Sequence, residues 1–520
     1  MTAVNQEKIA RNTILLYVRM VVVMLVTLYT SRVILEALGK NHFGIYDAVG
    51  GIVMIASFIC TTMSSACQRY YSYEIERGNS HMLNTVFSLS LTVFFILTAF
   101  IILLAETAGN WFLTNKMDVE GEIETARWVF QFSVLGFILI MLRTPYQGMV
   151  IAKEKMKVYA YLSLFEAFAT LMIAILLSHT PDDKNSRLIL YSAMMAGIQL
   201  MTSAFYWVYC RLFYQECRFR FYIDKEKFKE MFSFAGWNLI GSSADVFKSV
   251  GLNLLLNATF GTLVSAARGI ANKVYNTIAQ LNVNFFTAVR PQIYKSYAAS
   301  EMDDMRKLIC QSTRFSFFLL LLLALPILLE TDFILPIWLR GRNVPDQAVI
   351  LTQLMVIDGL LNCFTSPLAA SVQATGNIRN YQLVIGGTLL LILPLSYVGV
   401  TYLGLAPASV FIISIIVTVI SQFERIWFVR KQIKLDIWYY LRTVILPILL
   451  VTGICSTLSI GFKTWIQELQ FRANWIGPIL VILASMLFTC ITVYAIGVSR
   501  TERKHAVEMV KRFLDRKQND

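Results

Sequence analysis

The sequence predicts an all-α polytopic membrane protein with about fourteen transmembrane helices, built as two pseudo-symmetric six-helix lobes followed by two C-terminal helices. Three observations predict it. The 520 residues are 56% hydrophobic and only 15% charged, with a mean hydropathy of +0.59, whereas soluble proteins carry about 25% charged residues. Apolar runs of membrane length recur from one end of the chain to the other. A motif in the first half returns in the second, six spans later.

Runs of about 20 apolar residues, enough to cross a hydrocarbon core, fall near 12–35, 45–67, 84–106, 124–149, 158–179, 188–213, 233–257, 262–289, 308–330, 347–373, 380–402, 405–429, 440–461 and 474–498. The first is too long for a cleaved signal peptide and is expected to remain. The second, seventh and eighth are rich in Gly, Ser, Thr and Asn, which suits close helix packing or a wet cavity better than a lipid face. The divisions expected are an N-terminal lobe over 1–214, a connector over 215–232, a second lobe over 233–434, an extra helix pair over 435–498 and a basic tail over 499–520.

Loop charges support the count. With the N-terminus inside, 30 of the 46 Lys and Arg residues fall in inside segments and 8 in outside loops, the other 8 lying in or beside spans. Cationic loops stay cytoplasmic, so an even number of spans with both termini cytoplasmic is expected. Inside cations include Lys153, Lys155, Lys157 and, around the end of the twelfth span, Arg425 and Arg430. The tail has apolar residues at helical spacing and is expected to lie on the anionic inner leaflet.

Soluble-type enzyme chemistry finds no support. The eight cysteines lack ligand spacing and read as small apolar packing residues. The four histidines, 42, 81, 179 and 505, lie in loops or the tail, which disfavours a metal site or a histidine proton relay. No outside loop is long enough for a folded catalytic segment. Neither a Ser/His/Asp set nor a phosphate loop is present. A transporter without a cofactor is expected, with no nucleic-acid partner.

The repeat is carried by "RTPYQGMVIAKEKMKVYAY" (143–161) and "TSPLAASVQATGNIRNYQL" (365–383). Thr144-Pro145 aligns with Ser366-Pro367, Ala152 with Ala374, Lys157 with Arg379 and Tyr159 with Tyr381, without a gap. A looser echo relates Gly39…Arg69 to Gly261…Arg290. An even offset of six spans gives both copies one orientation, hence parallel lobes related by an axis along the membrane normal and a cavity between them. Gly50-Gly51, Pro145/Pro367 and Pro326/Pro336 mark helices able to bend.

The stretches "NTILLYVRMVVVMLVTLYTSRVILEALGKNHFGIYDAVGGIV" (12–53), "MSSACQRYYSYEIERGN" (63–79) and "QATGNIRNY" (373–381) resemble the polysaccharide-exporter branch, with its O-antigen-type flippases, of the multidrug/oligosaccharidyl-lipid/polysaccharide (MOP) exporter superfamily. The resemblance covers about twelve spans. It implies two lobes, alternating access, a bacterial inner-membrane location and movement of an undecaprenyl-diphosphate-linked oligosaccharide from the inner to the outer leaflet. It also implies a monomer that works beside polysaccharide-assembly proteins.

The charges inside spans are then the candidate site. Cations in or bordering spans are Arg19, Arg32, Arg127, Arg143, Lys248, Arg268, Lys273 and Arg314; the acids most clearly inside are Asp47, Glu166, Asp245 and Asp358. Arg19, Arg143, Lys248, Arg268, Lys273 and Arg314 are expected to bind a diphosphate, Arg as a bidentate clamp and Lys as a point charge. Asp245 and Asp358 are expected to couple transport to H+ or Na+. Each charge has a plainer alternative. Arg32, Arg127 and Arg268 lie close enough to span ends to snorkel, Arg19 and Arg314 are within reach of the inner headgroups, and Asp245 with Lys248 forms an i,i+3 pair on one helix face. Asp358 has no basic neighbour one turn away. A cation-coupled multidrug exporter of the same fold is the alternative function; a membrane-embedded glycan polymerase or ligase comes third.

Overall fold

In a computed structural model the described residues are 57–115, 123–180, 184–220, 225–339, 347–468 and 475–499, with single positions between 12 and 46, the helix Leu15–Thr27, and residues 345, 502 and 503. Among them the chain is helical and strand-free. In a bilayer every N–H and C=O must be satisfied within its own segment, and a helix does this.

The helices are α1 (Leu15–Thr27), α2 (Ser57–Glu76), α3 (Ser80–Leu104), α4 (Asn110–Asn115), α5 (Ile123–Ala152), α6 (Met156–Ser178), α7 (Lys184–Phe213), α8 (Lys225–Phe260), α9 (Thr262–Ala298), α10 (Met302–Trp338), α11 (Ala348–Asn362), α12 (Thr365–Thr375), α13 (Arg379–Leu390), α14 (Ile392–Thr401), α15 (Ala408–Ile433), α16 (Ile437–Tyr440), α17 (Leu446–Glu468) and α18 (Ile476–Thr492). Eleven stretches of the described residues are long and apolar enough to cross a membrane. The difference from fourteen has physical reasons. The described helix of the first span is short, most of 45–56 lies outside the described residues, and α9 is too polar to register by hydropathy although it is 37 residues long. Arg32, Asp47 and Gly50-Gly51 also lie outside the described residues.

Two compact units divide the chain, the first ending at Leu239 and the second beginning at Ile240, within α8. In the first, α5 is the hub, packed on α2, α3, α6 and α7. Its core includes Val129, Phe130, Ala174, Leu177 and Leu188, all nearly inaccessible. In the second, α11 and α12 take the same place, packed on α9, α10 and α15.

The backbone repeats the relation seen in the sequence. Gly78 ends α2 in the left-handed region (φ 68°) and Ser300 ends α9 in the same region (φ 62°); Glu154 (φ 59°) and Gly376 (φ 82°) turn the chain after α5 and α12. Positions 78 and 300 are 222 apart, as are 154 and 376, and so are the first residues of α3 and α10, Ser80 and Met302. Glu154 accepts a conformation that favours glycine, and glycine stands at the equivalent position 376. The two hubs differ at the repeated proline. α5 runs unbroken through Pro145, whereas the equivalent span breaks at Cys363–Phe364, before Pro367. Proline withholds one helix donor in each. In the second hub Asn362 also turns its amide back onto the Asp358 carbonyl at 2.9 Å, competing with the helical ladder.

The last two spans extend the second unit. α17 packs on α18, and both pack on α10. α10 carries Pro326 and Pro336 and is kinked at Glu330, whose backbone leaves the helical region (φ −121°, ψ 30°).

Candidate functional site

In the N-terminal unit, among the described residues, the intramembrane cations Arg19 and Arg143 are each held by a neighbouring helix. Arg19, on α1, donates through Nε to Ser163 Oγ on α6 and stacks over the Tyr159 ring at 4.7 Å. Arg143, on α5, pairs with Glu166 on α6, side chains 12% and 26% accessible. The two residues are 23 apart in sequence, so the pairing follows from the α5–α6 turn at Glu154 rather than from helical spacing. Arg127 is exposed at the start of α5, in keeping with a snorkelling residue.

In the second unit a larger group gathers where α8, α11, α13 and α15 meet. Asp358, on α11, accepts a hydrogen bond from Thr418 Oγ1 on α15 at 2.9 Å and from Asn362 Nδ2 at 3.2 Å. Lys248 Nζ, on α8, lies 3.9 Å from the Asp358 carboxylate. The i,i+3 relation to Asp245 read from sequence is therefore joined by a tertiary one: Lys248 is the basic neighbour of Asp358, supplied by another helix. The charges of Arg425, Lys248 and Asp358 all act on Asp245.

Arg425 corrects one expectation. Read as an inside-loop cation, it lies within α15, 7% exposed, where it donates to the Tyr381 hydroxyl and sits 5.5 Å from that ring. Its Nε is buried without a partner among the described residues. A signal for it did exist: Tyr381 aligns with Tyr159, and each tyrosine of the repeat carries an arginine, from α1 in one unit and α15 in the other. Which helix supplies the arginine is not readable from the alignment.

Two helix faces in the second unit are accessible and polar. On α8, Asp245, Ser249 and Asn253 form an exposed stripe at four-residue spacing. A separate face carries Ile240, Phe247, Val250 and Leu254, which are 49–65% exposed. The apolar face meets lipid; the polar one, by the same energetics, meets water. On α9 the exposed positions Gly269, Lys273, Asn276, Thr277 and Gln280 fall on one side, with one exposed apolar residue, Val283, at its far end. Lys273 makes no ion pair or side-chain hydrogen bond among the described residues. It stands eleven residues into the 37-residue α9, about 16 Å along the axis from its start. Arg268 reaches from α9 to the Ser249 carbonyl on α8 at 2.9 Å, tying the two striped helices together.

Arg314 is set apart from the other candidates. It is 8% exposed, and its guanidinium is engaged by the Glu502 carboxylate at 2.6 Å and the Thr443 carbonyl at 3.1 Å. Its charge is neutralised inside the protein rather than presented to a ligand. No cluster of His, Cys, Asp and Glu among the described residues has the makings of a metal site.

The fold defines the class of protein: a multi-pass helical membrane protein with the architecture of MOP-superfamily transporters. The chain is similar in structure to a MATE protein crystallised in a bent conformation, with a TM-score of 0.71 and 14% identity over 83% of this chain and 96% of that one. It is also similar to a multidrug resistance MATE family transporter of the MOP superfamily in an outward-facing conformation, with a TM-score of 0.70 and 13% identity over 84% and 98%. A third likeness is to a MOP superfamily transporter from Pyrococcus furiosus Vc1 (DSM3638) described by the reverse polarity of its binding pocket, with a TM-score of 0.68 and 14% identity over 84% and 98%. No protein-family model matches the chain, and no curated protein matches it.

Proposed function

We propose that the chain is a flippase that moves a polyprenyl-diphosphate-linked oligosaccharide from the inner to the outer leaflet of a bacterial inner membrane, by alternating access. The observation that carries this reading is Lys273: an accessible ammonium, unpaired among the described residues, within a long helix whose exposed face around it is mostly amide, hydroxyl and glycine. A charge facing lipid there costs about 2.5–3.5 kcal/mol or more, so the face is a water-filled one, and a free cation in it suits a phosphorylated headgroup. Arg268 and Lys248 flank it on the same pair of helices. The oligosaccharide contacts the amide and hydroxyl stripe, and the polyprenyl chain stays in lipid. Pocket polarity is also the criterion that suggests a different function for the MOP transporter from Pyrococcus furiosus.

A second reading rests on a specific observation. Asp245 is exposed, with Asp358 close by, which also suits a cation-coupled exporter of multiple drugs. In the flippase reading the same carboxylates serve H+ or Na+ coupling.

Cells lacking the chain are expected to accumulate unexported lipid-linked repeat units on the cytoplasmic leaflet. Normal surface glycan together with normal levels of those intermediates overturns the flippase reading. Drug resistance on overexpression, abolished by Asp245→Asn, establishes the second.

A further inference from the structure

The last two spans make charged and close contacts on α10. At the kink, Lys463 of α17 donates to the Leu329 carbonyl and pairs with the Glu330 carboxylate at 3.2 Å. Both partners sit where α10 bends, and Glu330 is only 7% exposed. The adjacent Leu328 carbonyl accepts from Gln353 Nε2 of α11 at 3.1 Å. Broken helices leave carbonyls without their i+4 donors, and membrane proteins satisfy these with side chains. Lys463 does this and neutralises a buried carboxylate at the same point.

Nearer the start of α10, Glu502, beyond α18, makes a second set of contacts. It binds Arg314 through Oε2 at 2.6 Å, accepts from Gln311 at 3.0 Å, and is itself held by the Ser499 N–H at 2.8 Å. Between the two ends, Gly497 lies so close to α10 that a Cβ there meets the Phe318 ring at 2.6 Å. Contacts from α17 and from the chain at and beyond the end of α18 therefore fall on α10 at three places: residues 311 and 314, residue 318, and residues 329 and 330.

We propose that α17, α18 and Glu502 form a two-ended electrostatic staple that holds α10 in its kinked shape. The pair at the kink, Lys463–Glu330, is the latch that opens when α10 changes its bend. The other pair, Arg314–Glu502, is the fixed anchor. The asymmetry follows from what each pair touches. Glu330 and Leu329 belong to the kink, and straightening there restores the helical ladder and removes the carbonyl that Lys463 occupies. Arg314 lies in a regular stretch of helix, twelve residues before Pro326, and its contacts do not depend on the bend.

Hydrogen–deuterium exchange on the full-length protein in lipid nanodiscs tests this without reference to any substrate, so its outcome is separate from that of the flippase reading. In Lys463→Met, which keeps the stem and removes the charge, the amides of 326–338 are expected to exchange about tenfold faster, with α5 and α6 unchanged. Lys463→Arg is expected to restore protection, because guanidinium can satisfy both the carbonyl and the carboxylate. Glu502→Gln is expected to speed exchange near 311–318 and to leave 326–338 as they were. Unchanged exchange at 326–338 in Lys463→Met overturns the proposal, and so does an increase spread evenly over all helices. Should Lys463→Met fail to accumulate, Glu330→Gln, which keeps shape and a hydrogen bond, carries the same expectation and the same two overturning results.

Discussion

The two units share a backbone plan and treat intramembrane charge in different ways. In the first, Arg143 and Glu166 form a half-buried ion pair between α5 and α6. The positions 222 residues later are Thr365 and Thr388, and both are uncharged. Their hydroxyls are taken up by α15: Gln422 donates to Thr365 at 2.9 Å, and Thr388 donates to Glu424 at 2.9 Å. The charge has moved from the hub and its neighbour to a third helix, where Glu424 and Arg425 stand side by side. Arg19 is likewise held by Ser163 and Tyr159, whereas Asp245 and Lys273 of the second unit are accessible. The first unit uses these charges to fasten helices together. The second also fastens helices with charge, at Arg314–Glu502 and Lys463–Glu330, but leaves Asp245 and Lys273 accessible.

Three sets of substitutions break or sharpen that contrast. The largest effect on stability is expected for Arg143→Ala, which strands the Glu166 carboxylate; losing one partner of a buried pair costs about 3 kcal/mol. Thermal unfolding of the purified protein is expected to fall sharply in Arg143→Ala and much less in Arg143→Thr/Glu166→Thr, which copies the uncharged pair of the second unit. Equal losses in the two variants would remove the ion pair from the account.

A smaller effect separates the two arginine-bearing tyrosines. Tyr381→Phe leaves the buried Arg425 without its hydroxyl acceptor, a loss of about 1–3 kcal/mol. Tyr159→Phe retains the ring under Arg19, and Ser163 still accepts from that guanidinium, so its cost is expected to stay below about 1 kcal/mol. Chemical denaturation of both variants ranks them; the reverse order would show that the two sites are not built as described.

The smallest stability change is expected for Lys273→Ala, within about 0.5 kcal/mol of the parent protein, because the side chain has no partner among the described residues to lose. Its effect falls on export instead. Surface glycan is expected to drop in Lys273→Ala cells at unchanged protein level and to recover in Lys273→Arg. Full export in Lys273→Ala removes this residue from the substrate path.

Much of this is legible in the chain. The repeat at 143–161 and 365–383 locates both helix corners, because a left-handed turn followed by a basic helix start leaves the same residue pattern twice. Lys273 stands out because its neighbours are amides on a weakly apolar segment, and the structure shows two of them, Asn276 and Gln280, on the exposed side. The partners of the charges are not legible. Asp358 meets Lys248, Arg143 meets Glu166 and Arg314 meets Glu502 across gaps of 110, 23 and 188 residues. Loop charge counts Arg425, near the end of the twelfth span, with the inside cations, and a buried hydroxyl acceptor on another helix leaves no trace in that pattern.

The sequence by itself determined the membrane class, the doubled architecture, and the presence of charge where hydrocarbon should be. Those follow from hydropathy, loop charge and spacing, which act along the chain. The tertiary structure alone decided which charges are matched and which stay accessible. That outcome depends on which helices pack together, and a bilayer, apolar to every helix alike, does not encode it in any single segment.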